Sequence, residues 1–168
     1  RLDIEAGLRR ALERDELCLQ YQPIFDLGSG EILSLEVLLR WDHPERGLLE
    51  PTAFIPVAEE SGLILPIGAW VIAEVERQLA LWAESGWAPT VAVSLSEVQL
   101  CDQAVVDTLL ALAARLPRRA VELEIPETLL LARDPHLIDT LTLLREQGLA
   151  VTIVNFGTGY SSLALLKH

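Results

Sequence analysis

Between Trp70 and Val154 one pattern occurs three times: apolar residues at helical spacing, then a short apolar run that reads as a strand. Trp70, Ile72, Val75, Leu79 and Trp82 lead into TVAVSLS at 90 to 96, Val105 to Leu116 lead into AVELEI at 120 to 125, and a third helix leads into LAVTIV. That third helix is the best punctuated, with Asp134 as N-cap, Pro135 at its first position and Gly148 just past its end. Strands joined by helical crossovers run parallel, so the chain is restricted to the α/β class, as a barrel or as an open sheet. The front of the chain is built differently. Arg1 to Arg14 has Leu2, Leu8, Ala11 and Leu12 at helical spacing. LCLQYQPIFDL at 17 to 27 then alternates with period two, Gly28, Ser29 and Gly30 supply a turn, and EILSLEVLLRW at 31 to 41 follows. This is an antiparallel β-hairpin of two long strands.

Composition narrows the class of partner. The chain has 168 residues, 51% of them hydrophobic, which fits one packed domain or part of a larger one. Thirteen Lys and Arg against 25 Asp and Glu leave a net charge of −12, and such a surface repels phosphate backbones, so neither DNA nor RNA is expected as a partner. Cys18 and Cys101 cannot build a disulfide framework and read as small core residues, which places the chain in reducing cytoplasm. The stretch Ser61 to Ala73 contains Pro66 and falls short of the roughly 18 apolar residues of a membrane span. A chain that begins at an arginine and stops inside a helical pattern after FGTGYSS reads as a fragment.

Candidate chemistry concentrates in two strands. In 31 to 41, alternation separates Leu33, Leu35, Val37, Leu39 and Trp41, which should face helices, from a set that includes Glu36, Leu38 and Arg40. Glu36 and Arg40 then share a face about 13 Å apart, too far for easy pairing, so a neighbouring strand or a ligand has to compensate each charge. The second group is Glu122 and Glu124 on one face of the strand 120 to 125, with Glu127 past Pro126 in a loop. Carboxylates at the carboxyl ends of parallel strands suit a ligand or a cation such as Mg²⁺ or Mn²⁺; in a chain this acidic they also suit a solvated rim. P-loop and zincin patterns are absent, and Gly159-Tyr160-Ser161-Ser162-Leu163 lacks the final glycine of a nucleophile elbow. His43, His136 and His168 fall on expected loops or helix ends and read as surface residues.

Several segments in order, ELCLQYQPIFDLGSGEI, LEVLLRWDHPERGLLEPTAFIPVAEESGLI, VAVSLS, ELEIPET and NFGTGYSSL, are similar to the EAL domain of bacterial cyclic di-GMP signalling. The resemblance runs from the first helix to the last residue. It implies an α/β fold, a modified (β/α)8 TIM-like barrel with one antiparallel strand, in which residues 1–168 form an EAL-type domain. Complete barrels of this kind take about 250 residues, so the C-terminal part is expected to be missing from this chain.

In active members of the family, two divalent cations held at the strand ends cleave one phosphodiester of cyclic di-GMP. The resemblance assigns Glu36 and Glu124 as retained metal ligands and Glu127 as the carboxylate that steadies the glycine loop. The name motif reads Glu36-Val37-Leu38 here, Ser94 replaces an asparagine ligand, Pro126 replaces a threonine, and Val154 and Asn155 replace paired aspartates. Valine cannot ligate a cation. The implied reading is a degenerate domain with no catalytic residue, an incomplete metal set and no required cofactor, Mg²⁺ or Mn²⁺ mattering only for residual activity. The nucleotide contacts are better kept: Arg40 to a phosphate, Leu38 in the guanine pocket and Gln22 as a polar contact. That combination implies a cyclic di-GMP receptor that signals to a partner protein, a PilZ-type protein being one kind. A pure interaction module and an active phosphodiesterase are the alternatives. An incomplete barrel also exposes a sheet edge, through which self-association is expected.

Overall fold

In the computed structural model, which describes residues 2–131 and 134–154, the chain divides into two units, Arg1–Pro89 and Thr90–His168. The first unit opens with helix α1 (Leu2–Glu13), which buries Ile4, Leu8 and Ala11. Strand β1 (Leu17–Phe25) then pairs antiparallel with β2 (Ile32–His43), in a register that sets Leu17 against Trp41 and Gln22 against Glu36. The turn between them is held by Asp26, whose Oδ1 accepts from the backbone N–H of Gly28 at 2.9 Å and of Ser29 at 2.7 Å. Those donors hold the Asp26 carboxyl below the usual carboxylate range. A short third strand, β3 (Gly47–Leu49), pairs antiparallel with the end of β2.

Behind this sheet come a 3₁₀ turn (Pro51–Ala53), helix α2 (Ile55–Ser61) and the long α3 (Ile64–Glu84). Helix α2 stops at Gly62, whose φ of 77° is the left-handed conformation that glycine adopts without steric cost. The apolar stripe of α3, including Ile67, Ile72, Val75 and Leu79, is buried, and Trp82 packs edge-on against Tyr21 of β1 with ring centroids 4.9 Å apart. Trp41 is fully buried, packs against Phe54 and His43, and donates its indole N–H to Glu16 at 3.1 Å.

The second unit has three parallel strands, β4 (Val91–Ser94), β5 (Val121–Pro126) and β6 (Ala150–Val154), with β5 in the middle. Helix α4 (Glu97–Leu100) directly follows β4, and α5 (Gln103–Arg115) then crosses to β5. Helix α6 (Glu127–Leu131) follows β5, and α7 (Pro135–Glu146) crosses to β6. Leu109 and Leu112 of α5, Leu123 and Ile125 of β5 and Leu144 of α7 are almost fully buried and form the centre of this core. No single helix among the described residues is long and apolar enough to cross a membrane; α2 and α3 together pass on length and composition, but they bend by 118°.

Four expectations from the sequence are corrected. Cys101 is exposed and Cys18 only half-buried, so neither is a core residue. His43 is buried instead of lying on the surface, because it ends β2 beside Trp41 and its Nδ1 accepts from the Glu45 backbone N–H at 3.1 Å. Leu33 is exposed, because it lies near the hairpin tip. Glu127 is not in a loop: Pro126 ends β5 and Glu127 starts α6, where its side chain is buried.

Candidate functional site

The first unit gathers four of the expected residues on one face of the hairpin. Residues two apart on a strand share a face, and so do antiparallel partners directly opposite each other. The register places Gln22 opposite Glu36, Gln20 opposite Leu38 and Cys18 opposite Arg40. The other face of β2 carries Leu35, Val37 and Trp41, all buried, so Glu36, Leu38 and Arg40 point away from the helices of this unit. All three are half-buried, and Gln22 is exposed.

Arg40 donates through Nη1 to the Leu39 carbonyl at 3.0 Å. Among the described residues the ion pairs of this unit are Arg9 with Glu5, Arg46 with Asp3 and Arg77 with Glu74; Arg40 joins none of them. Its register partner is Cys18, not a carboxylate. Burial and the nearby Asp42 push the Cys18 thiol up, against a smaller lowering by Arg40. The thiol therefore stays protonated near neutral pH and is no nucleophile. Cys18 and Gln20 were missed as members of this face, although the period-two alternation of LCLQYQ already places both with Gln22.

In the second unit Glu122 and Glu124 share a face of β5, as their spacing requires. Each carboxylate accepts from a hydroxyl of a flanking strand. Ser94 Oγ on β4 donates to Glu124 Oε2 at 3.2 Å, and Thr152 Oγ1 on β6 donates to Glu122 Oε1. The register sets Ser94, Glu124 and Thr152 in one row and Pro126 beside Val154 in a later one. Glu124 and Glu127 are buried and Glu122 is partly so. Thr152 was also missed; its place in the apolar run AVTIV gave no polar pattern to notice. Asn155 and residues 156–168 lie outside the described residues, and with them the FGTG loop, Ser161 and His168.

These donors do not fit a pair of divalent cations. The hydroxyls of Ser94 and Thr152 are turned to the carboxylates, and Val154, in the later row beside Pro126, offers only hydrocarbon. Among the described residues, no three or more His, Cys, Asp and Glu side chains form a group that could hold a metal ion. Hard dications require several oxygen ligands in a fixed arrangement.

Residues 5–168 match the EAL domain family. The chain belongs to that family. It is 42% identical over 167 residues, 98% of its length, to the cyclic di-GMP phosphodiesterase PdeR of Escherichia coli K12, of which it spans 25%. Among solved structures, it superposes on the PaMucR phosphodiesterase in its c-di-GMP complex with a TM-score of 0.91 at 39% identity, covering 98% of this chain and 68% of that one. The FimX EAL domain of Xanthomonas citri in complex with c-diGMP gives a TM-score of 0.86 at 27% identity, covering 99% of this chain and 66% of that one. The α/β fold of the EAL type, a TIM-like barrel, is therefore the fold to which this chain belongs, and its name motif reads Glu36-Val37-Leu38.

Proposed function

We propose that residues 1–168 form an EAL-type domain that binds cyclic di-GMP without hydrolysing it and reports the bound nucleotide to a partner protein in the cytoplasm. The observation that carries this reading is the make-up of the carboxylate row. Glu122 and Glu124 are flanked by hydroxyls that already donate to them, and Val154 offers only hydrocarbon beside Pro126, further along the strands. Such a row keeps its carboxylates hydrogen-bonded without a cation, and it lacks the ligands that two-metal cleavage requires. Glu36 and Glu124 are what remains of the metal set. Mg²⁺ or Mn²⁺ would matter only for residual hydrolysis, by polarising a phosphate oxygen and activating water.

Binding is assigned to the hairpin face. Arg40, in no ion pair among the described residues, offers a guanidinium fork that matches two phosphate oxygens. Leu38 lies next to it on that face for a base to pack on, and Gln22 adds a polar group. Glu127, buried at the start of α6, takes the loop-steadying role. PaMucR and the FimX EAL domain of Xanthomonas citri, which match over nearly the whole chain, each hold c-di-GMP, which supports the choice of ligand. A PilZ-type protein is one candidate for the partner.

The test is calorimetry with cyclic di-GMP, with and without EDTA. The chain should bind equally in both. Arg40→Ala should weaken binding by roughly 10- to 150-fold, the worth of a charge-assisted contact. Incubation with Mn²⁺ should leave the nucleotide intact over hours. Prompt appearance of linear dinucleotide would establish the second reading, an active phosphodiesterase, which the 42% identity to PdeR favours. Absence of binding in every condition would leave a pure interaction module.

A further inference from the structure

The second unit is electrically polarised along its strands. Its described basic residues are Arg115, Arg118, Arg119 and Arg145, and all are exposed at the end where the parallel strands begin. Arg115 and Arg145 lie in the last turns of α5 and α7, while Arg118 and Arg119 form the turn that enters β5. The backbone joins these positions directly. Arg119 N–H donates to the Gly148 carbonyl at 2.7 Å, and Gly148 N–H donates to the Arg145 carbonyl at 3.1 Å. Arg118 lies against Gly148 and donates through Nη1 to the Glu146 carbonyl at 3.3 Å. At the other end, where the strands finish, stand Glu97, Asp102, Glu127 and Asp134 at the starts of four helices.

Helix dipoles account for part of this separation, since cations are favoured at helix C-termini. They explain Arg115 and Arg145, and Arg118 serves the end of α7. They do not explain Arg119, which is outside any helix and holds a left-handed φ of 63° where glycine would be the unstrained choice. Arg119 and Arg145 have no side-chain partner among the described residues, and Glu146 adjoins Arg145 in sequence.

We propose that this arginine end is a docking surface for an acidic segment of a partner protein. Arginine is the residue suited to carboxylates, because its planar fork donates to both oxygens at once. The net charge of −12 disfavours large polyanions such as nucleic acid, which the rest of the surface repels. A short run of Asp and Glu can reach the arginines alone. This surface is independent of the nucleotide reading, since none of its residues belongs to the hairpin face or to the carboxylate row.

The experiment titrates the whole chain into a fluorescein-labelled oligoglutamate peptide at low salt and follows anisotropy, with an oligoglutamine peptide as the neutral control. The glutamate peptide should bind, the glutamine peptide should not, and Arg119→Glu with Arg145→Glu should weaken binding by at least about tenfold. Arg9→Glu with Arg10→Glu on α1 should weaken it far less. Arg119→Gln with Arg145→Gln serves as a second variant, and a thermal melt checks that each variant folds. Failure to bind the glutamate peptide, or equal binding by folded wild type and variants, overturns the proposal. So does binding to phosphatidylserine vesicles without binding to the peptide, which would make the surface a membrane contact.

Discussion

Gly7 lies inside α1, where glycine is less favourable than alanine by roughly 1 kcal/mol. The reason is Trp41. A Cβ at position 7 would stand 2.7 Å from Trp41 Cη2 and 2.9 Å from Cζ2, and that ring is fully buried. Gly7→Ala is therefore expected to destabilise the protein by about 1–3 kcal/mol through overpacking, despite its gain in helix propensity. Urea denaturation should show a lower midpoint, and an unchanged or higher one would contradict this account. The need for glycine was not legible in the sequence, because nothing local to α1 reveals a tryptophan 34 positions away. Arg40 was legible, since alternation along β2 isolates it from the apolar face. The burial of His43 was not, because it depends on the same distant packing around Trp41. Tyr21 belongs with these: burial, then the charge of Glu74, pushes its phenol up to about 12, an effect set by residues that the chain brings in from α3.

At the scale of elements, local chemistry decides most boundaries. Asp134 Oδ1 accepts from the His136 N–H at 2.9 Å, Pro135 sits at the first position of α7, and Gly148 past its end has a φ of 117°. Loss of this cap in Asp134→Ala should cost about 1 kcal/mol and lower Tm by about 2–4 °C; a melt within experimental error of wild type would show that the cap is not what starts the helix. The elements that sequence reading missed are the short ones. Helix α4 has only four residues, too few for a period to show. Its start was nevertheless signalled, since Ser96 and Gln99 exchange the two hydrogen bonds of a capping box. Strand β3 depends on a turn through Gly47, with φ at 70°, and on pairing with β2, neither of which is a pattern within three residues.

For the whole molecule, the charge of −12 and the carboxylate row lead to opposite expectations for dications, and they can be separated. Screening stabilises any strongly acidic chain, whereas a specific site stabilises the folded state in proportion to its occupancy. Millimolar Mg²⁺ or Mn²⁺ should therefore raise Tm no more than NaCl of the same ionic strength. A larger, saturating rise would show a cation site that the described donors do not provide, and the proposed receptor role would lose its main support.

The sequence by itself determined the α/β class, the hairpin, the two crossovers that join β4, β5 and β6, and the face on which Glu36, Leu38 and Arg40 stand. Each of these follows from periodicity and turn chemistry, which act over a few residues. What only the tertiary structure decided is who satisfies whom. Ser94 with Glu124 and Thr152 with Glu122 are each 30 residues apart and meet because parallel pairing sets their register. The same holds for Trp41 over Gly7 and for the gathering of arginines where β5 begins. A hydrogen bond or a close packing contact needs atoms within a few ångströms, and only the folded chain brings such distant positions that near.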